Sequence, residues 1–319
     1  MKQIADQLNI SRTTVSLVLK GKGDQYRISK DTQQRIISYV EQAGYRPNYF
    51  ASALNSRTSG IIGAVFPDLF ESFMGSIVRG IETVLYVHDY SLMISTSRFS
   101  HQREQAIIEN ILYRGADGLL LVPSMPYHHE TPYNSEYIGS LVKQDVPMVL
   151  IDRKIKGVTV PCVVQKDYDR SYGAVTSCIQ NGAGRICCVS FYLQATSIEE
   201  RLRGYARAVR DHHLEPSYIL LREQNPSSRD LQTKLADQLR SKEPPDAFFV
   251  TTSGIADKLS WLLRSEGLTI PIARFGSTAP WTHQELMDIP QPHTEMGKKA
   301  AQLLIERIEG RPVEEITYC

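Results

Sequence analysis

The sequence predicts an all-α helix-turn-helix head followed by an α/β body of two doubly wound parallel-sheet lobes. Three observations carry this expectation. Apolar residues recur only at helical spacing through the first 45 residues. From Gly60 onward the pattern changes to short apolar runs bounded by Gly, Pro, Asp or Ser, with helical segments between them. The chain is 319 residues long, enough for two or three packed units with separate cores.

The opening stretch "QIADQLNISRTTVSLVLKGKG" places Ile4, Ala5 and Leu8 on one helical face, breaks at Asn9 and Ile10, and resumes at Ser11 with Val15, Val18 and Leu19. Helices this short are unstable alone. They must share one apolar seam, completed by a third helix in "KDTQQRIISYVEQAG", where Ser29 caps, Ile36, Ile37 and Val40 face inward and Gly44 closes. "YRPNYFASALNSRTSG" reads as a linker: Pro47 stops the preceding structure, Asn48 can cap, and "YFASAL" offers a turn or two of helix. The expected strands are "IIGAVFP", "SLMIST", "GADGLLLVP", "VPMVLID", "RICCVSF", "DAFFVTT" and "IARFG". They lack polar alternation and are separated by helical patterns such as "SFMGSIVRGIETVLYVHD" and "QREQAIIENILYRG", as parallel sheets covered on both faces require.

Composition is that of a globular protein, with 42% hydrophobic and 22% charged residues. No run approaches the roughly 18 apolar residues of a membrane span, and no export signal is recognised at the N-terminus. Five cysteines, Cys162, Cys178, Cys187, Cys188 and Cys319, show no CxxC spacing, which points to a reducing cytoplasm and to neither disulfides nor zinc. The net charge of +1 conceals an asymmetry: residues 1–58 carry +5 and the remainder −4. A basic head on an acidic body suits a head that meets a polyanion, against the plainer alternative of a solvated surface.

Burying the shared seam leaves the first turn of the second helix exposed, the part that enters a DNA major groove in helix-turn-helix proteins. Arg12 carries donors suited to guanine O6 and N7, and Thr13 suits a base edge or a thymine methyl. Ser11, Thr14, Ser16 and Ser29 are short hydroxyls near helix starts, placed for phosphates. The plainer alternative is a surface helix with a capping serine.

"IADQLNISRTTVSLVLKGKG" with "YRPNYFASALNSRTSGIIGAVFPD" resembles the LacI/GalR family of bacterial transcription repressors, and "GADGLLLVP", "VLIDR", "ERLRGYARAV" and "QPHTEMGKKAAQLL" extend the likeness over nearly the whole chain. Within the family, "TTVSLVLKGKG" followed by "ASAL" is most similar to the maltose-regulon repressor type. The resemblance implies a helix-turn-helix domain over 1–46, a hinge helix and linker over 47–59, and an effector-binding domain over 60–319. Its lobes, of periplasmic-binding-protein type, would be about 60–160 with 291–319, and about 161–290. In the hinge helix Leu54 would wedge into the minor groove, Ala51 would allow close approach and Asn48 would contact a phosphate. The implied function is a sequence-specific transcriptional regulator, a repressor, working as a homodimer on a pseudo-palindromic double-stranded operator and modulated by a sugar or related metabolite.

Transferred position by position, the effector contacts are Glu71, Phe73, Asp152, Gln165, Glu199, Thr252, Ser277 and Gln291. Glu199 falls where the family's effector-binding arginine is expected, a charge reversal that would repel anionic ligands, although Arg201 and Gly204 of the same motif persist. Leu17 stands where many relatives carry a base-reading arginine, implying a preference there for a methyl group or for shape. "GKGDQYRIS" is longer than the usual connection. Met1 aligns inside the usual first turn without the customary capping Thr, so the start lies upstream or the first helix is frayed.

Catalytic signatures are absent from the sequence: there is no G-x-S-x-G elbow, P-loop or H-E-x-x-H. His128–His129–Glu130 and His212–His213 are adjacent residues that do not share a face, so no metal site is expected, and neither is a cofactor or an enzymatic activity.

Overall fold

The computed structural model describes residues 2–19, 21–43, 58–69, 73–126, 133–222, 228–276 and 286–319. The chain forms two compact units, residues 1–59 and 60–319.

In the first unit, α1 (Lys2–Leu8), α2 (Arg12–Leu19) and α3 (Lys30–Gln42) surround one small core. Ile4, Ala5, Val15, Val18 and Ile36 are buried, with Leu8, Ile10, Leu19, Ile28, Tyr39 and Val40 packed around them. Asn9 takes φ 54°, and the Ile10 N–H reaches back to the Ala5 carbonyl at 2.9 Å, which closes α1. Ser11 Oγ accepts the Thr14 N–H at 3.0 Å and opens α2; Ser29 Oγ accepts the Thr32 N–H at 3.2 Å and opens α3. The long connection before α3 is gathered by one residue: Gln33 Nε2 donates to Asp24 Oδ1 at 2.9 Å and to the Ile28 carbonyl at 2.8 Å. One expectation is corrected. Ile37 is 39% exposed, because consecutive helical residues lie about 100° apart and Ile36 already occupies the inward direction.

The second unit holds two parallel sheets. The first, in spatial order β11-β5-β4-β3-β1-β2, contains β1 (Ile61–Phe66), β2 (Ser91–Thr96), β3 (Gly118–Leu121), β4 (Met148–Ile151), β5 (Cys162–Val164) and β11 (Ile316–Tyr318). The second, in order β10-β9-β8-β6-β7, contains β6 (Ile186–Phe191), β7 (Ser217–Leu221), β8 (Ala247–Val250), β9 (Ile272–Phe275) and β10 (Leu286–Ile289). The chain leaves the first sheet after Val164, slightly beyond the boundary near 160 expected from the sequence, and returns after Ile289.

Both faces of each sheet are covered, which is why the central strands are apolar throughout. On the first sheet, α4 (Met74–Val87) and α11 (His293–Ile308) cover one face, and α5 (His101–Tyr113) and α6 (Ser135–Lys143) the other. On the second, α7 (Asp167–Gln180) and α8 (Thr196–Asp211) cover one face, and α9 (Ser228–Leu239) and α10 (Ser253–Ser265) the other. The start of α8 also crosses over: Ala195 and Ile198 are buried in the core of the first lobe beside Met125, Ile155 and Val160.

Helices α4 and α11 approach through paired glycines. A Cβ on Gly80 would lie 2.0 Å from the Thr294 carbonyl oxygen, and one on Gly297 would lie 2.1 Å from that of Ile77. Backbone cannot yield as a flexible side chain does. Gly297→Ala is therefore expected to destabilise the protein by about 1–3 kcal/mol, read as a lower urea midpoint at unchanged slope; an unchanged midpoint would show that the close approach is dispensable.

Candidate functional site

In parallel sheets the carboxyl ends of the strands all open to one side, and loops converge there. Asp152 follows β4, Gln165 follows β5, Thr251 and Thr252 follow β8, and Gln291 follows β10 just before α11. The fold thus brings residues far apart in sequence to the junction of the two lobes.

Asp152 is buried and takes φ 70°, while the Arg153 N–H bonds the Ile151 carbonyl at 2.8 Å across it. Aspartate is one of the few residues that tolerate this left-handed turn. Its Oδ2 accepts Arg153 Nε at 3.0 Å and Ser197 Oγ at 3.3 Å, the second bond coming from the other lobe. Around it the Lys154 N–H donates to Thr196 Oγ1 at 2.9 Å, and the Gln194 N–H to the Pro126 carbonyl at 2.9 Å.

A second buried pair lies beside the first. Arg201 Nε donates to Asp167 Oδ1 at 2.7 Å, its Nη1 to the Thr251 carbonyl at 2.6 Å, and its guanidinium lies over the Phe275 ring at 3.9 Å. Burial pushes the Asp167 carboxyl up to about 6, against the pull of Arg201. His293 is also buried and stacks on Phe73 with ring centroids 4.9 Å apart. Burial lowers its pKa to about 4, with Arg201 and Arg170 acting in the same sense and Asp152 opposing.

Three polar groups here have no hydrogen-bond partner among the described residues: the Gln165 amide at both its atoms, Thr252 Oγ1 and His293 Nε2. A cavity of about 360 Å³ opens at the junction, with Asp152, Gln165, Asp167, Thr196 and Ser197 in its wall. Gln291 sits at the end of β9, its Oε1 3.3 Å from where a Gly276 Cβ would stand.

The expected charge reversal is corrected. Glu199 is turned to Lys156, 2.8 Å away, with its side chain 29% exposed. The buried guanidinium of α8 belongs to Arg201, two positions on, where helical periodicity aligns it with the inward-facing Ile198. Arg201, Asp167 and His293 are the cleft residues missing from the sequence expectation. The surviving "ERLRG" motif was the signal for the first; nothing local marks the other two. Glu71 and Ser277 lie outside the described residues, as do Asn48, Ala51, Leu54 and the His128–His129–Glu130 cluster. Among the described residues no group of three or more His, Cys, Asp or Glu is placed to hold a metal ion, and no helix is long and apolar enough to cross a membrane.

In the head, Ser11, Arg12, Thr13 and Ser29 are exposed, and Thr14, Ser16 and Leu17 are half-buried. The open face of α2 is thus its first turn, opposite Val15 and Val18.

Two parallel-sheet lobes with polar groups gathered at their strand ends, in a chain that also carries a helix-turn-helix, define the class of regulators built like periplasmic binding proteins. The family model described as "Periplasmic binding proteins and sugar binding domain of LacI family" matches residues 59–317, and that described as "Bacterial regulatory proteins, lacI family" matches residues 1–48. The chain belongs to the LacI family: it is a DNA-binding transcription regulator with an effector-binding domain, in a family of regulators rather than enzymes. It is 27% identical to the probable HTH-type transcriptional regulator EndR of Paenibacillus polymyxa, over 98% of this chain and 91% of that one. It is 26% identical to the catabolite control protein A of Priestia megaterium, over 98% and 93%. Among solved structures it resembles Cra of Pseudomonas putida in complex with fructose 1-phosphate (TM-score 0.72, 18% identity, 82% of this chain and 96% of that one). It also resembles a transcriptional regulator CelR–cellobiose complex (TM-score 0.68, 22% identity, 99% and 95%).

The buried imidazole makes a signed prediction. His293 takes up a proton near 6.5 in the unfolded chain but only near 4 when folded, so its contribution is present above pH 6.5 and lost as pH falls toward 4. Asp167 acts oppositely, its contribution being present below 3.8 and lost as pH rises through about 6. His293→Phe keeps a ring against Phe73, so its Tm should fall less steeply than the parent's between pH 6.5 and 4; equal slopes would mean that the imidazole is not shielded.

Proposed function

We propose that the chain is a homodimeric cytoplasmic repressor whose two heads read successive major grooves of a pseudo-palindromic operator, and whose effector is a sugar or related metabolite held between the lobes. The observation that carries the reading is the exposed first turn of α2, with Ser11, Arg12 and Thr13 open to solvent on a helix whose other face is buried. In this reading residues 1–46 bind the groove, 47–59 form the hinge, and 60–319 sense the ligand. Arg12 reads a guanine, Thr13 and Leu17 meet base edges or methyl groups, and Ser11, Thr14, Ser16, Ser29 and Asn48 hold phosphates. Leu54 wedges the minor groove, with Ala51 permitting close approach.

Phe73, Asp152, Gln165, Thr252 and Gln291, with Glu71 and Ser277, form the effector set, and Arg201 replaces Glu199 in it. The printed ligands of the two solved relatives, cellobiose and fructose 1-phosphate, support the sugar class. The narrower maltose-regulon assignment rests on "TTVSLVLKGKG" and "ASAL" alone. Effector acts by binding one lobe arrangement better than the other, since equal affinity for both shifts nothing.

Selection of random duplexes by the purified chain, followed by mobility shift, should yield a pseudo-palindrome bound by a dimer; recovery of no enriched motif at any salt concentration would refute the reading. On the selected site, Arg12→Ala should cost about 1–3 kcal/mol at one base position and relax the preference there. Leu54→Ala should reduce operator bending and specific affinity while leaving the sedimentation mass of the dimer unchanged.

A further inference from the structure

The cavity at the lobe junction lies against the starts of two helices, α7 and α8, and neither N-cap residue, Lys166 or Ala195, makes a side-chain capping bond. Open helix N-termini ordinarily favour anions. Here the chain has already supplied them: Asp167 and Asp169 stand in the first turn of α7 and Glu199 in the first turn of α8. The charges in the cavity wall are Lys154 and Lys166 against Asp152, Asp167, Asp169 and Glu200. The two buried carboxylates, Asp152 and Asp167, engage Arg153 and Arg201, so those guanidiniums are already committed. An entering phosphate would meet more carboxylate than free cation.

The groups left unsatisfied are uncharged. Gln165 is 3% exposed, lines the cavity, and has neither amide atom bonded among the described residues. One atom donates and the other accepts, the pairing that adjacent hydroxyls provide. Thr252 Oγ1 and the neutral His293 Nε2 add further bonding capacity, and the Phe73–His293 stack adds an apolar platform. A buried amide with no partner is destabilising, so a ligand that completes it gains the full value of the bonds.

From this we infer that the effector is an uncharged, hydroxyl-rich molecule anchored by the Gln165 amide, and that its phosphorylated counterpart is rejected. The inference rests on the reading of the junction as the effector site. The full-length chain is tested by thermal shift and calorimetry against glucose, fructose, ribose, maltose and cellobiose, and against glucose 6-phosphate, fructose 1-phosphate and ribose 5-phosphate. At least one uncharged sugar should raise Tm saturably, with every phosphate at least 10-fold weaker. Gln165→Leu should lose 10-fold or more of that affinity while its ligand-free Tm equals or exceeds the parent's, because two unpartnered buried atoms are gone. Gln165→Asn, which keeps the amide but shortens its reach, should lose affinity on an intact fold if the leucine variant fails to fold. Equal or tighter binding of a phosphate, no response to any uncharged sugar, or full affinity in both variants would each overturn the inference. Operator binding measured on the same preparation separates the two failures: DNA affinity without a sugar response removes this inference alone.

Discussion

The Arg201–Asp167 pair is the interaction on which the sensing half depends. Both side chains are almost wholly buried, so each ion is tolerable only because the other is present. Arg201 does more than neutralise a carboxylate. It joins α8 to α7 through Asp167, reaches the end of β8 through the Thr251 carbonyl and covers the Phe275 ring. Those are the elements whose ends form the second lobe's side of the cleft. The contact between the two helices is equally close along their length: a Cβ on Gly204 would stand 2.4 Å from the Tyr168 carbonyl oxygen. Ion pair and glycine together set where Gln165 and Ser197 stand.

The start of α8 couples the lobes. Ala195 and Ile198 bury their apolar groups in the first lobe, and a ring of polar contacts surrounds them: Ser197 to Asp152, Thr196 to Lys154, Glu199 to Lys156. The exposed Lys156–Glu199 pair contributes little energy, whereas the buried Ser197–Asp152 bond is sensitive to anything that competes for the carboxylate. A ligand at this junction therefore touches the same residues that hold one lobe arrangement. The head obeys a different logic. Its helices of seven and eight residues stand only by sharing a core around Val15 and Ile36. That shared burial is what leaves the first turn of α2 free for DNA.

Long apolar runs disclosed the fold class and the central strands, because a strand buried on both faces has nothing to alternate with. The strands that escaped notice, β5, β7, β10 and β11, are short or lie at sheet edges, where pairing on one side supplies order that local composition does not announce. Helix periodicity disclosed Ile36 and Val40, yet it could not choose between Ile36 and Ile37; the packing of α1 and α2 made that choice.

The same division holds at the cleft. Asp152 and Gln165 were found from the motifs they end, since each follows a recognisable apolar strand. Glu199 was exchanged for Arg201 because chain order counts positions, whereas a helix presents only every third or fourth residue to the core. That Asp167 and His293 belong beside them, although 126 residues apart in the chain, follows from the return of the backbone to the first lobe at α11. Burial then decides their charge states, and burial is a property of neighbours brought together by folding, which no stretch of sequence carries alone.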